Sequence, residues 1–293
     1  MIVITAPTGQ IGRHVVRDLL AVNAKLRLIV RNAAKLPDAV RDHVELIEGS
    51  HGDSAVVDRA FEGADAVFWL PPPDPQRTLD EVYLDFTRPA AEAFRRHAIK
   101  RVVGITALGR GTEWQDKAGI VTASIRMDDM IMATGVAFRG LAMPSFMDNV
   151  LRQAATIKDK GMMFGPLDPD KTAPTTATRD MGAVAARLLG DTTWTGQEEV
   201  PVLGPEDLSF NDMAAIVSEV LGREVRYQQV PFDAFKAQLL GRGMTESFAQ
   251  GYVDMMRAKN EGMDNAAPRT AASTTPTTFR QWCEQELRPA VLG

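Results

Sequence analysis

The first twenty residues, MIVITAPTGQIGRHVVRDLL, constrain the fold more than any other stretch of this chain. Met1 to Thr5 is a short β-rich apolar run, Thr8-Gly9-Gln10-Ile11-Gly12 reads as a turn, and Ile11, Val15, Val16, Leu19 and Leu20 then recur at helical spacing. This is strand, tight turn, helix. A helix N-terminus presents unpaired backbone N–H groups and positive dipole charge, and glycine lets a phosphate approach the backbone with no Cβ in the way. The stretch therefore reads as a dinucleotide site built from Thr8, Gly9, Gln10, Ile11 and Gly12. A G-x-x-G pair alone is a weak signal, because many strand-to-helix turns use glycine for backbone reasons only. Its position, directly after an apolar strand and before an amphipathic helix, is what the first βα unit of a doubly wound sheet requires.

Further strands are expected at 25–30 (KLRLIV), 44–48, 64–70 (ADAVFWL), 101–106 (RVVGIT) and 136–141. Helices are expected at 54–61, 78–97 with an irregularity at Pro89, and 120–133. After Met143-Pro144-Ser145 the character changes: loops rich in Gly, Pro and Thr (161–178) alternate with helices, one of them capped by Asp180, and a short strand returns at 200–203. The pattern predicts an α/β fold of Rossmann type, a doubly wound parallel sheet with a smaller, mostly helical C-terminal lobe. The nucleotide-binding domain is expected to span 1–145 with 178–204 returning to it, and the lobe 146–177 and 205–293.

Composition narrows the partners. A formal charge of −5 and a pI near 5.5 supply no basic field for nucleic acid. The single cysteine, Cys283, rules out an intramolecular disulfide and a Cys-based zinc framework, and beside Trp282 in a helix-like run it reads as structural. His14, His43, His51 and His97 are scattered without metal-ligand spacing, so no metal is expected. There is no basic, apolar leader and no run long enough to span a membrane, so a cytoplasmic protein is expected.

The second strand ends at Arg31, with Lys35 four residues on. In a doubly wound fold that tip meets the adenosine ribose: an acidic residue suits the 2′-hydroxyl of NAD, whereas Arg suits the 2′-phosphate of NADP through a bidentate, charge-assisted pair. NADP(H) is the cofactor this predicts. Asp53 is placed either to cap the following helix or to accept from the adenine amino group, the cap being the safer reading. His51 is expected to be exposed. The run 64–70 stops at Pro71-Pro72-Pro73, a rigid loop at the carboxyl end of a central strand, so Leu70 and Pro71 are expected to line the cofactor crevice.

At this point the residues resemble a family. TAPTGQIGRHVV, VRNAAK, GDSAVVDRAFEGADAVFWLPPP, SFMDNV, LGPEDLSFNDMAAIVSEVLGREV, PFDAFKAQLLGRGMTESFAQG and TPTTFRQW together are similar to the NmrA-like group of atypical short-chain dehydrogenases. The tail segments PFDAFKAQLLGRGMTESFAQG and TPTTFRQW resemble the subgroup that includes festuclavine and agroclavine dehydrogenases and quinone or azo-dye reductases. The resemblance covers essentially the whole chain. It implies NADP(H) held by the first turn, by Arg31 and by the loop at 70–73, and a small, aromatic or conjugated substrate between sheet and lobe, with Pro72, Phe146 and Asn149 as contacts and a homodimer compatible with the family. Two positions depart from the pattern: the first glycine of G-x-x-G-x-x-G is Ala6, which costs little if φ is negative there, and the Arg before the Pro after strand six is Ala142.

Ordinary short-chain dehydrogenases carry Tyr-x-x-x-Lys, in which the lysine lowers the tyrosine pKa. Here Tyr83, Tyr227 and Tyr252 all lack a lysine four residues on. Thr106, at the place that resembles the family's serine, is the one weak catalytic candidate and a further cofactor contact. A reductase of quinones, azo compounds or iminium ions needs no strong general acid; a non-catalytic NADP(H)-sensing regulator of NmrA type is the alternative. Asp128 and Asp129 diverge by about 100° on a helix, which favours solvent contacts over an acid/base pair. The fourteen methionines read as core packing by default.

Overall fold

A computed structural model describes every residue from Met1 to Gly293. In chain order it begins with β1 (Ile2–Ile4), α1 (Gly12–Ala21), β2 (Leu26–Val30), α2 (Asp38–Arg41), β3 (Glu45–Glu48), α3 (Ser54–Phe61) and β4 (Ala66–Trp69). Next come α4 (Arg88–Arg96), β5 (Arg101–Ala107), α5 (Ile120–Met132) and β6 (Ala137–Met143), then β7 (Ser145–Phe146), α6 (Ala154–Lys160), β8 (Met162–Gly165) and β9 (Ala173–Thr176). The chain continues through α7 (Thr178–Gly190), β10 (Gln197–Pro201), β11 (Asp207–Leu208), α8 (Phe210–Leu221) and β12 (Arg226–Gln229). It finishes with α9 (Phe232–Gly241), α10 (Glu246–Asn260), α11 (Phe279–Trp282) and α12 (Arg288–Leu292).

Seven strands form one sheet in the order β10-β6-β5-β4-β1-β2-β3. β1 pairs parallel with both β2 and β4, and β2–β3 and β4–β5 are parallel too. The strand order reverses at β1, so the carboxyl ends of β1 and β4 flank a topological switch point, the place where doubly wound sheets bind ligands. The unbroken apolar run of β4 has its cause here: Ala66, Val67, Phe68 and Trp69 are all fully buried in the middle of a two-sided sheet. α3 and α4 close one face, with Phe61 stacked on Phe94 at 5.3 Å between ring centroids.

The helix expected across 78–97 is interrupted. Glu81–Asp85 forms a π turn and α4 starts only at Arg88, with Pro89 in its first turn. A proline has no N–H to give to the carbonyl four residues back and its ring crowds that carbonyl, so the backbone widens before it. The break brings the Phe86 ring onto Gly52, where a Cβ would sit 2.6 Å from it.

By contacts the chain divides into two compact units. The first holds 1–107, 123–142 and 181–200, and the second 108–122, 143–180 and 201–293. The second unit contains a three-stranded sheet, β11-β9-β7, and a parallel pair, β8 and β12. These strands are two to four residues long and show no alternation, which is why loops are all that the sequence pattern predicts for 161–178. Its core includes Phe279 stacked on Trp282 at 5.6 Å, with Cys283 and Leu287 fully buried beside them. Asp180 does not cap a helix as expected: α7 begins at Thr178, and the buried Asp180 carboxylate instead accepts from the Thr277 N–H (3.0 Å) and hydroxyl (2.9 Å). Asp148 accepts the matching pair from Thr178, at 3.0 and 2.7 Å. A buried carboxylate is tolerable only with such donors, and each of these fastens segments far apart in sequence.

Candidate functional site

The turn after β1 is tight enough to explain its own glycines. The Gly9 N–H donates to the Ala6 carbonyl at 3.0 Å, and a Cβ on Gly12 would lie 2.1 Å from that same oxygen. Gly12 is thus demanded by the backbone before any ligand is considered. Ala6 has φ +47°, so the condition under which alanine would cost little there is not met: an L-residue held in the left-handed region costs about 1 kcal/mol or more. No side chain caps α1, and its first turn carries no acidic residue. The Arg13 and His14 amides in its first turn donate to the Gly9 and Ile11 carbonyls, so those of Gln10, Ile11 and Gly12 are the ones left for an anion. Thr8 and Gln10 are exposed, while Ile11 is buried and offers only its backbone.

Arg31 and Lys35 follow β2 and are both exposed. Asn32 turns the chain between them by accepting from the Ala34 N–H at 2.9 Å. Asp53 is the helix cap that the safer reading predicts, its Oδ1 accepting from Ala55 (2.8 Å) and Val56 (3.2 Å) at the start of α3.

His51 corrects the sequence expectation, since only 7% of it is exposed. Its ring meets Trp69 and Phe86 edge-on, at centroid distances of 5.3 and 4.9 Å, and its Nε2 lies 3.0 Å from the Leu70 carbonyl. Burial pushes its pKa down to about 4, with the Arg31 charge acting in the same direction. The neutral ring therefore donates from Nε2, because a carbonyl can only accept. Thr5, fully buried at the end of β1, completes the arrangement: its hydroxyl donates to the Phe68 carbonyl (2.9 Å) and accepts from the Leu70 N–H (2.9 Å). The Leu70 peptide is thus held at its N–H by one segment and at its C=O by another. Pro71 is buried, Pro72 half-buried and Pro73 exposed. Sequence reasoning missed Thr5 and His51; the available signals were a hydroxyl at the end of an apolar strand and a lone histidine set among Gly49, Ser50 and Gly52.

Thr106, at the end of β5, is nearly buried and its hydroxyl donates to Ser124 Oγ on α5 at 3.3 Å. Ser124 was not singled out by sequence. Asp128, expected at the surface, is instead fully buried, its carboxylate lying against Gly104 of β5 and Gly140 of β6. The two glycines leave room for the Phe138 ring, which a Cβ on either would meet at 2.9–3.0 Å. In the second unit, Phe146 in β7 and Asn149 in the turn that follows are half-buried. Cys283 is structural: it is fully buried and its thiol pKa is pushed up to about 12 by burial. No group of His, Cys, Asp or Glu could hold a metal, and no helix is long and apolar enough to cross a membrane.

An uncapped helix N-terminus behind a close turn, an exposed Arg after the second strand and a rigid loop at a switch point define a Rossmann-type, nucleotide-binding α/β protein. A family model described as NAD(P)H-binding matches residues 7–192, and that of the NmrA-like family matches residues 112–283. The chain belongs to the NmrA-like, NAD(P)H-binding family, as its motifs imply. It is 30% identical over 289 residues to the (4-alkanoyl-5-oxo-2,5-dihydrofuran-3-yl)methyl phosphate reductase of Streptomyces griseus, covering 96% of each chain. It is also 30% identical over 257 residues to the NAD(P)H azoreductase of Xenophilus azovorans, covering 87% of this chain and 86% of that one. The fold is shared with Citrobacter triphenylmethane reductase, solved with NADP(H): the TM-score is 0.80 at 18% identity, over 99% of this chain and 100% of that one.

Proposed function

We infer that this protein is an NADPH-dependent oxidoreductase that reduces a small conjugated electrophile, such as a quinone, an azo compound or an iminium ion. The observation that carries the reading is the uncapped α1 turn followed by an exposed Arg31, in a chain whose three tyrosines all lack the lysine partner of ordinary short-chain dehydrogenases. Relatives at 30% identity that are named reductases, one of an azo substrate and one of a butenolide, support it.

In this reading the turn from Thr8 to Gly12 receives the pyrophosphate at the amides other than that of Gly9, which is bonded to Ala6; Arg31 and Lys35 receive the 2′-phosphate, and Leu70 and Pro71 wall the nucleotide, with Asp53 at the adenine end. NADPH supplies hydride when bound. Thr106 accepts rather than donates toward the crevice, because its own proton is engaged by Ser124. Pro72, half-buried after the cofactor wall, is the proposed substrate contact of the first unit. Such substrates need little from the protein: an iminium is neutralised by hydride outright, and a reduced quinone or azo group takes its proton from water. Positioning and exclusion of bulk water carry the acceleration.

Loss of NADPH absorbance with a panel of quinones, azo dyes and cyclic imines tests the activity, and no oxidation with any of them defeats it. Arg31→Ala is expected to weaken NADPH binding by roughly ten- to a hundredfold, the range of a charge-assisted contact, with NADH nearly unchanged. Equal loss for both nucleotides defeats the 2′-phosphate assignment. The missing dyad equally favours a second reading, a non-catalytic NADP(H) sensor. Pull-downs with and without nucleotide separate the two, since only a sensor changes partners with cofactor state.

A further inference from the structure

We propose that His51 is a positioning residue for the bound nucleotide, setting the wall at 70–73 through the Leu70 carbonyl. The proposal rests on reading the switch-point crevice as the NADP(H) site. Leu70 is followed by three prolines, none of which has an N–H, so the loop has no backbone donors with which to fix itself. Its placement is inherited from the Leu70 peptide. Thr5 holds the N–H of that peptide and His51 its carbonyl, at 2.9 and 3.0 Å.

The His51 ring has little freedom. Trp69 is itself tied by Nε1 to the Thr87 hydroxyl at 3.1 Å, and Phe86, whose ring centroid is 6.3 Å from that of Trp69, is seated on Gly52. Phe86 and Thr87 follow directly on the widened turn at Glu81–Asp85, ahead of Pro89. The irregular helix, the lone histidine and the proline loop thus form one connected brace. The partner that the buried ring nitrogen meets is the carbonyl directly before the prolines, so the bond that satisfies the ring also fixes the start of the loop. Moving that carbonyl moves Pro71 and Pro72 with it, since consecutive prolines transmit displacement stiffly.

The test uses the full chain at neutral pH, with NADPH dissociation constants from fluorescence titration and a melting temperature for each variant. His51→Phe keeps an aromatic ring in the cage and loses the donor; His51→Gln keeps an N–H that reaches a carbonyl. His51→Phe is expected to raise the NADPH Kd about tenfold, the equivalent of one buried hydrogen bond, and His51→Gln less than about threefold. A purely structural role lowers the melting temperature and leaves Kd alone at a temperature where every variant is folded. That result, or equal weakening by both substitutions, overturns the proposal. Should His51→Phe not fold, wild-type protein labelled with ¹⁵N-histidine decides: the His51 ring signals must move as NADPH saturates, and unmoved signals overturn the role. A wild-type chain that binds no NADPH overturns the crevice reading itself and this proposal with it, which keeps the two failures distinct.

Discussion

The turn after β1 and the loop after β4 are held in place by opposite means. In the first, the backbone does the work locally: Gly9 bonds back to Ala6, and Gly12 presses on the same carbonyl within six residues of chain. In the second, three prolines remove local hydrogen bonding, and the segment is held by Thr5 and His51, 65 and 19 residues away in sequence. A locally built turn announces itself in its glycines. A loop held by distant side chains announces only that it is rigid, and its position belongs to the rest of the fold.

Breaking the local turn is expected to have the largest effect. Gly12→Ala puts a Cβ 2.1 Å from a backbone oxygen that cannot rotate away, and about 4 kcal/mol of stability should be lost together with NADPH binding, as urea denaturation and titration would show. The distant brace should fail next, in acid. His51 is neutral when folded and its pKa is about 4, against 6.5 for an ordinary histidine, so the unfolded chain binds the proton first. Its contribution is fully present above pH 6.5 and is lost as pH falls toward 4, about 3 kcal/mol in all. Comparing urea midpoints of wild type and His51→Phe at pH 7, 5.5 and 4 isolates it; parallel pH profiles would disprove it.

Thr5→Val sharpens the comparison from the other side of Leu70. It is nearly isosteric but leaves the Leu70 N–H without its partner, at an expected cost of about 2 kcal/mol. The smallest effect is a gain. Ala6→Gly relieves the positive φ of the local turn and should stabilise the protein by about 0.5 kcal/mol after glycine's own entropy is counted. A destabilised Ala6→Gly protein would mean that the methyl group packs usefully.

Much of the first unit was legible because its signals are local. The strand-turn-helix of residues 1–20, the apolar run of β4, the Asp53 cap and the break at Pro89 each follow from neighbours a few residues apart. The short strands β8, β9 and β12 were not, because two- to four-residue pairings are chosen by partners elsewhere in the chain and leave no periodicity. Burial of His51 and Asp128 was hidden for a related reason. A polar residue on a loop or a helix is exposed by default, and what reverses this is packing by other segments, Trp69 and Phe86 over His51 and the strands that carry Gly104 and Gly140 over Asp128.

By itself, then, the sequence determined the sheet class, the glycine turn after the first strand, the arginine after the second strand and the absence of a Tyr-Lys pair, all of them properties of residue type at short spacing. Tertiary structure alone decided the strained φ of Ala6, the carboxylate clamps at Asp148 and Asp180, and the bracing of Leu70 by Thr5 and His51. The physical reason is that a buried polar group must find its partner wherever folding brings one, and sequence distance carries no record of that meeting.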